Sequence, residues 1–125
     1  MIDYQRLVRD WHAAKGVPIA EVPTNPTEEL AELRASLILE EAEEASAALL
    51  DGEGLPEIAK ELADVLYVVF GTAVSLGIDL GPVFEEVHRS NMSKDPANKR
   101  ADGKILKGAS YVPPNIGPII DRQTP

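Results

Sequence analysis

Two pairs of acidic residues, each spaced three positions apart, fall inside an apolar pattern that has the period of an α-helix. The first pair is Glu41 and Glu44, and the second pair is Glu61 and Asp64. Residues three apart project from one face of a helix, so each pair can converge on a common point. We therefore expect two adjacent helices whose acidic faces meet, within an all-α fold.

The first acidic pair continues a stripe of leucines. Leu30, Leu33 and Leu37 recur at helical spacing, and further steps of four and three reach Glu41 and Glu44. The stripe predicts that these acids point inward, where an unpaired carboxylate is very costly. Such a carboxylate neutralises, forms an ion pair or binds a metal. Two such pairs on adjacent helices favour a metal site.

Two alternatives to this interpretation stay open. The run EEAEE is also common on solvated helix surfaces, and Asp64 argues against that reading because apolar residues flank it. The register Glu40 and Glu43 is an alternative for the first pair. We prefer Glu41 and Glu44, because the other two residues lie about a hundred degrees round the helix from the leucine stripe.

Capping and helix-breaking residues divide the chain into about four helices. The predicted helices cover 3–14, Asn25 (as N-cap) to Leu50, Pro56 to Leu76, and Asp79 (as N-cap) to about Met92. Asp3 is the predicted N-cap of the first helix, and Gly16 and Gly77 are the predicted ends of the first and third. The third is apolar nearly all round, which predicts the central and most buried helix. Beyond Ser93 the composition predicts loops, with a short turn around Gly103. We place one helical domain over residues 1–112 and a Pro-rich tail over 113–125.

Charge and cysteine content restrict the chemistry. The net charge of −9 argues against a nucleic-acid polymer or an anionic membrane as the main partner, and no apolar run approaches the length of a membrane span. The absence of cysteine excludes thiolate ligands and a cysteine nucleophile. Oxygen ligands select Mg²⁺ or Mn²⁺. Because charges interrupt the N-terminus where a signal peptide needs its apolar core, we expect a cytoplasmic protein.

Basic residues concentrate after the acidic helices. Residues 89–107 hold six of the twelve Lys and Arg residues of the chain. This arrangement suits a phosphorylated ligand, since metal ions on the carboxylates bridge phosphates and ammonium groups pair with the remaining phosphate charge.

Two other function classes fit parts of the sequence. Glu85 and His88 have the Glu-x-x-His spacing of di-iron helical bundles, although such a site needs two copies and the chain carries one. A non-catalytic acidic adaptor is the second alternative. It predicts that Mg²⁺ leaves the thermal stability unchanged.

The segment EEAEE followed by KELADVLYVVFGTAVSLGID resembles the ExxE…ExxD motif of the all-α NTP pyrophosphohydrolases. This superfamily includes MazG, the dimeric dUTPases and phosphoribosyl-ATP pyrophosphohydrolase. The later segments VFEEVHRSNMSK and DGKILKG are similar to its branch of MazG-like and phosphoribosyl-ATP-pyrophosphohydrolase-like proteins. The resemblance covers about residues 4–115.

The resemblance implies Mg²⁺-dependent hydrolysis of nucleoside triphosphates, dNTPs or noncanonical ones, to the monophosphate and pyrophosphate in a house-cleaning role. Phosphoribosyl-ATP is the alternative substrate. The resemblance also implies a homodimer or homotetramer in which helices of different subunits complete the bundle. The implied metal ligands are Glu41, Glu44, Glu61 and Asp64, and Glu40 matches an acid that binds a further metal or orients the water. The implied phosphate-binding residues are Asn91, Lys94, Lys104 and Lys107.

Overall fold

The computed structural model describes residues 1–125 as five α-helices without β-strands. The helices are α1 (Tyr4–Lys15), α2 (Glu28–Leu50), α3 (Leu55–Leu76), α4 (Leu80–Met92) and α5 (Gly117–Gln123). The predicted all-α class is confirmed. The chain divides into two compact units, Met1–Ile78 and Asp79–Pro125, which are described separately. The predicted boundary at residue 112 stays a prediction.

Local sequence sets most helix ends. Asp3 caps α1 by accepting a hydrogen bond from the Arg6 N–H, and Gly16 ends the helix in the left-handed conformation, as predicted. The start of α2 differs from the prediction, because the N-cap is Thr27 and not Asn25. The Thr27 hydroxyl accepts a hydrogen bond from the Leu30 N–H and thereby satisfies a free donor of the first turn.

In the first unit, α3 packs against both α1 and α2. The buried apolar residues of this unit are mostly small: Val8, Ala45, Ala48, Ala73 and Val74. The segment after α1 runs along the end of α3, where its backbone N–H groups donate to carbonyls of the last turn. The position of α3 between two helices agrees with its predicted central place.

α3 has more buried residues than any other helix, as predicted, although one face of it remains uncovered within the single chain. Leu62 and Leu66 are 49% and 55% exposed. Beside them an apolar groove of about 170 Å³ runs between α1 and α3. Its lining residues are Tyr4, Leu7, Val8, Ala63, Leu66, Tyr67 and Phe70. The expected completion of the bundle by another subunit stays a prediction.

A buried polar cluster joins the three helices of the first unit. His12 and Arg34 are among its few buried polar residues. Arg34 donates from Nη2 to the Val68 carbonyl at 2.9 Å and from Nε to the Thr72 hydroxyl at 3.0 Å. Gly71 makes room for both side chains, since a Cβ there would lie 2.5 Å from Arg34 Nη2 and 3.0 Å from His12 Nε2. The guanidinium therefore donates to α3 through both Nε and Nη2.

We expect His12 to make the fold less stable as the pH falls below about 6.5. Burial lowers the pKa of His12, its hydrogen bond to the Pro18 carbonyl opposes this, and the charge of Arg34 lowers the pKa further. Because the folded-state pKa lies below the unfolded value, the unfolded chain binds the proton more strongly. The stabilising effect of neutral His12 is thus lost on acidification.

Urea unfolding of the wild type and of His12→Gln between about pH 8 and pH 5 measures this contribution. The difference between the two midpoints is expected to change with pH. His88→Gln is the matched control, since His88 is exposed and is the other histidine of the chain. An identical pH dependence in the wild type and His12→Gln would contradict the assignment.

In the second unit, hydrogen bonds join the start of α4 to the C-terminal helix α5. Asp79 caps α4 by accepting from the Gly81 N–H, as predicted. The Gln123 side chain accepts from the Asp79 N–H and donates to the Asp79 carbonyl, which ties α5 to the start of α4. The segment that sequence reasoning assigned to a tail therefore contains a short helix. Seven residues are too few to show a helical period.

The loop between α4 and α5 contains the predicted turn. Arg100 donates from its backbone N–H to the Lys104 carbonyl, and an isolated antiparallel bridge joins Lys99 to Ile105. Gly103 supplies the positive φ of 93° within this turn. No single helix of the chain meets the length and hydropathy of a membrane span, although α3 and α4 do so together as a bent pair by length and composition.

Candidate metal centre

Acidic residues of α2 and α3 meet in the first unit. One carboxylate oxygen from each of Glu41, Glu61 and Asp64 lies within 4.8 Å of the others. Glu61 is only 7% exposed, and the other two are half-buried. The Oε2 atoms of Glu41 and Glu61 are buried without a hydrogen-bond partner. Buried carboxylate oxygens without partners are costly, and a bound cation would satisfy them. The cluster therefore has the ligand atoms expected of a cation site.

The buried stripe of α2 explains how Glu41 reaches α3. Arg34, Ala45 and Ala48 are buried on this helix, and Glu41 lies between them at helical spacing. Leu33 is 49% exposed, so the stripe follows Arg34 and not the leucine predicted from the sequence. The step from Glu41 then leads to buried Ala45 and leaves Glu44 exposed. Glu44 is therefore not buried as the leucine stripe predicted, and its role as a metal ligand stays a prediction.

Glu44 nevertheless contacts the cluster from its edge. Burial is the main cause that raises the pKa of Glu41, followed by a hydrogen bond to Glu44 and by repulsion from Glu44, Asp64 and Glu40. Glu40 is exposed and acts on the cluster through its charge. The Asp64 side chain is 37% exposed, which is more than its apolar neighbours in the sequence predicted. The deeply buried acid of α3 is Glu61.

Sequence reasoning missed Lys60, which is the basic side chain paired with these acids. Its Nζ lies 3.3 Å from Glu61 Oε1 and 3.1 Å from Asp64 Oδ2. The hydrogen bond to Asp64, followed by that to Glu61, raises the pKa of Lys60. The available signal was its position, since Lys60 precedes Glu61 and stands four residues before Asp64 on the same helix.

The predicted phosphate-binding residues all lie in the second unit. Asn91 and Lys94 line one cavity of about 450 Å³, together with Met92, Pro96 and Ile105. Lys107 Nζ lies 5.1 Å above the ring of Tyr111, a cation–π contact. The backbone N–H of Lys104 donates to Asp102 within the Gly103 turn. The structure thus brings Asn91 and Lys94 to one cavity, and a phosphate-binding role for all four residues stays a prediction.

The Glu-x-x-His segment of α4 forms no ligand cluster. Glu85 and His88 are both exposed and lie outside the group of clustered acids. The neighbouring Glu86 accepts hydrogen bonds from the Arg89 side chain and from the Asn115 N–H. These bonds lower the pKa of Glu86 to about 2. The geometry therefore gives no support to the di-iron alternative.

The clustered ligand atoms are carboxylate oxygens from two adjacent helices, with no thiolate or imidazole among them. Such an all-oxygen site in a helical protein suits a hard divalent cation. Residues 8–91 of the chain match the family described as phosphoribosyl-ATP pyrophosphohydrolase. Since the match covers more than half of the chain, the protein belongs to this family, within the all-α NTP pyrophosphohydrolase superfamily. A search of the curated proteins finds no match.

Family membership confirms the resemblance and defines the reaction in coarse terms. The family implies a hydrolase that acts on a phosphoanhydride, and its enzymes are commonly metal-dependent. The cluster of Glu41, Glu61 and Asp64 falls within the matched residues, as does Asn91. The match therefore includes both the acids of the first unit and the end of α4.

Proposed function

We propose that this protein hydrolyses the anhydride between the α- and β-phosphates of a nucleoside triphosphate and releases pyrophosphate, with Mg²⁺ or Mn²⁺ as the cation. The observation that carries the proposal is the convergence of three carboxylates, with buried and partnerless oxygens on Glu41 and Glu61. Carboxylate oxygens are the ligands that these hard cations prefer. The membership of a pyrophosphohydrolase family supports the same reaction.

The proposed roles follow from the position of each acid. Glu41, Glu61 and Asp64 bind the cation directly, and Glu44 joins them through its contact with Glu41. A divalent cation bound there polarises the phosphate and activates water. Glu40 is the proposed acceptor of the proton, since it is exposed beside the cluster and free of ion pairs within the chain.

Four residues of the second unit are proposed to bind the phosphates of the substrate through amide and ammonium groups: Asn91, Lys94, Lys104 and Lys107. Asn91 and Lys94 are supported by their shared cavity. Lys104 and Lys107 are supported by the sequence resemblance.

Two substrate classes share the scissile anhydride. The description of the matched family favours phosphoribosyl-ATP. The resemblance to MazG favours dNTPs or noncanonical nucleoside triphosphates in a house-cleaning role. A cation on the carboxylate cluster would contact only the phosphates, which both substrate classes carry. The cluster therefore suits phosphoribosyl-ATP and other nucleoside triphosphates equally.

A nucleotide panel tests the proposal. We expect incubation with Mg²⁺ to yield pyrophosphate and the monophosphate in equal amounts from at least one of phosphoribosyl-ATP, the dNTPs and noncanonical triphosphates. Removal of the cation with EDTA is expected to abolish the reaction, and added Mg²⁺ or Mn²⁺ to restore it. Phosphorus NMR identifies the products. Release of orthophosphate and the diphosphate, or a rate that EDTA leaves unchanged, would contradict the proposal.

We also propose that the protein is a cytoplasmic homodimer or homotetramer. The uncovered groove between α1 and α3 supports a second copy as the partner, since Leu62 and Leu66 leave an apolar surface beside it. The groove residues lie roughly 140° round α3 from Glu61 and Asp64, by the 100° turn per residue of a helix. A partner on the groove therefore leaves the acids open to the nucleotide. Light scattering coupled to gel filtration measures the assembly.

A further inference from the structure

The ammonium group of Lys60 bridges two members of the acidic cluster. Its Nζ is within 3.3 Å of a Glu61 oxygen and 3.1 Å of an Asp64 oxygen. The Lys60 side chain is 61% exposed, while that of Glu61 is only 10% exposed. The lysine therefore reaches the buried carboxylate from the solvent side and remains free to swing away from it.

No other cation of the first unit forms an ion pair with these acids. Arg34 is the other basic residue on α2 and α3, and its guanidinium is directed to the Val68 carbonyl and the Thr72 hydroxyl. None of the ion pairs in the structure involves Glu41. Lys60 is thus the single positive charge that the first unit supplies to the cluster.

An ammonium group and a divalent cation oppose each other at such short range. A divalent cation bound to Glu61 and Asp64 would share their oxygens with an ammonium group that keeps both of its contacts, at a separation of about 4 Å by ordinary cation–oxygen distances. Even at the dielectric constant of water, repulsion between a unit and a divalent charge at that separation weakens binding roughly thirtyfold. Movement of the flexible lysine into solvent relieves this repulsion but breaks both ion pairs.

We infer that Lys60 is a built-in competitor of the divalent cation, which must displace its ammonium group from Glu61 and Asp64 in order to bind. The inference rests on the proposed function, because it takes the acidic cluster as the cation site. Lys60 thereby sets the cation concentration at which the enzyme loads. Its released ammonium group stays tethered to α3, one residue from Glu61, where it is available to the phosphates of the nucleotide.

Binding of Mn²⁺ to the full-length protein tests this inference without any measurement of activity. Electron paramagnetic resonance counts free Mn²⁺ in a titration of the wild type, Lys60→Met and Lys60→Arg. We expect Lys60→Met to bind Mn²⁺ about three- to tenfold more tightly, less than the thirtyfold limit because the exposed lysine already moves and salt screens its charge. Lys60→Arg keeps the charge and is expected to stay within about twofold of the wild type.

Lys15→Met is the matched control, since Lys15 is exposed in the last turn of α1 and the substitution removes one positive charge there. It is expected to bind Mn²⁺ as the wild type does. Melting curves give a second readout, because tighter binding enlarges the rise in melting temperature at a fixed Mn²⁺ concentration. Lys60→Gln repeats the test should Lys60→Met be poorly folded.

The outcomes separate the inference from the proposed function. Tighter binding in Lys60→Met, with Lys60→Arg and Lys15→Met close to the wild type, supports the competition. Equal or weaker binding in Lys60→Met, beside a wild type that binds Mn²⁺, overturns the competition and leaves the cation site in place. A wild type that binds no Mn²⁺ overturns both.

Discussion

In the Glu61→Gln variant, we expect pyrophosphate release to fall by roughly a hundredfold or more while the helical circular-dichroism signal persists. Glu61 is the most buried acid of the cluster, and one of its oxygens has no partner. Glutamine keeps the shape of this side chain but removes its charge and replaces one oxygen with a donor. Initial rates with the best substrate of the nucleotide panel measure the effect.

Glu43→Gln is the matched control for this substitution. Glu43 is exposed on α2 and lies about 200° round that helix from Glu41, so the change removes the same charge away from the cluster. Its rate is expected to stay within about twofold of the wild type. Equal rates in Glu61→Gln and the wild type would remove Glu61 from the proposed site. A similar loss of rate in Glu61→Gln and Glu43→Gln would show that the effect comes from the net charge of the protein and not from the cluster.

We expect Gly77→Ala to lower the free energy of unfolding by about 3 kcal/mol or more. Gly77 ends α3 with φ 71° and ψ 26°, a left-handed conformation that costs alanine about 1–2 kcal/mol. A Cβ at Gly77 would also overlap the Val22 carbonyl oxygen and lie 2.6 Å from its carbon. Urea unfolding curves measure the loss.

The Val22 backbone has little freedom to retreat. Ala20 donates its N–H to the Val74 carbonyl and Thr24 donates its N–H to the Leu76 carbonyl, so the segment is tied to α3 on both sides of Val22. An added methyl group must therefore separate the segment from the helix end. This anchoring is the reason for a cost beyond that of the dihedral angles.

Gly16→Ala isolates the part of the cost that comes from this overlap. Gly16 ends α1 with nearly the same angles, φ 70° and ψ 26°, but a Cβ there meets nothing within 4 Å. Its expected cost is therefore only the 1–2 kcal/mol of the left-handed conformation. Equal losses for Gly16→Ala and Gly77→Ala would contradict the packing between the Val22 segment and α3.

The helices were predictable because their ends depend on nearby residues. Asp3, Gly16, Gly77 and Asp79 act as caps within a few residues of the groups they satisfy, and the structure agrees with each of them. The prediction of Asn25 as the N-cap of α2 was wrong, because Thr27 also suits an N-cap and lies two residues further along the chain. Only the position of the first free N–H groups decides between them.

The inner face of α2 was only partly predictable. Leu33 and Arg34 are adjacent on the helix, and apolar periodicity favours the leucine. The structure buries Arg34 instead, because α3 offers the Val68 carbonyl and the Thr72 hydroxyl as partners and Gly71 leaves space. These partners belong to another helix and leave no periodic signal in α2. The same shift leaves Glu44 more exposed than the leucine stripe predicted.

The candidate site shows the same division. The meeting of α2 and α3 acids follows from helical spacing, whereas the contacts of Lys60 depend on the course of a long side chain. The identity of the substrate depends on residues that bind its base and sugar, and charge patterns do not identify them. The phosphate-binding proposal therefore rests on the cavity at Asn91 and Lys94 and on the family.

Anomalous X-ray scattering from Mn²⁺ in crystals of the protein tests whether the acids of α2 and α3 form a cation site. We expect a peak between α2 and α3, with oxygens of Glu41, Glu61 and Asp64 at about 2.2 Å from the ion and the Lys60 ammonium group turned away. Crystals that bind Mn²⁺ elsewhere, or whose three carboxylates point into solvent with no ion between them, would contradict this expectation.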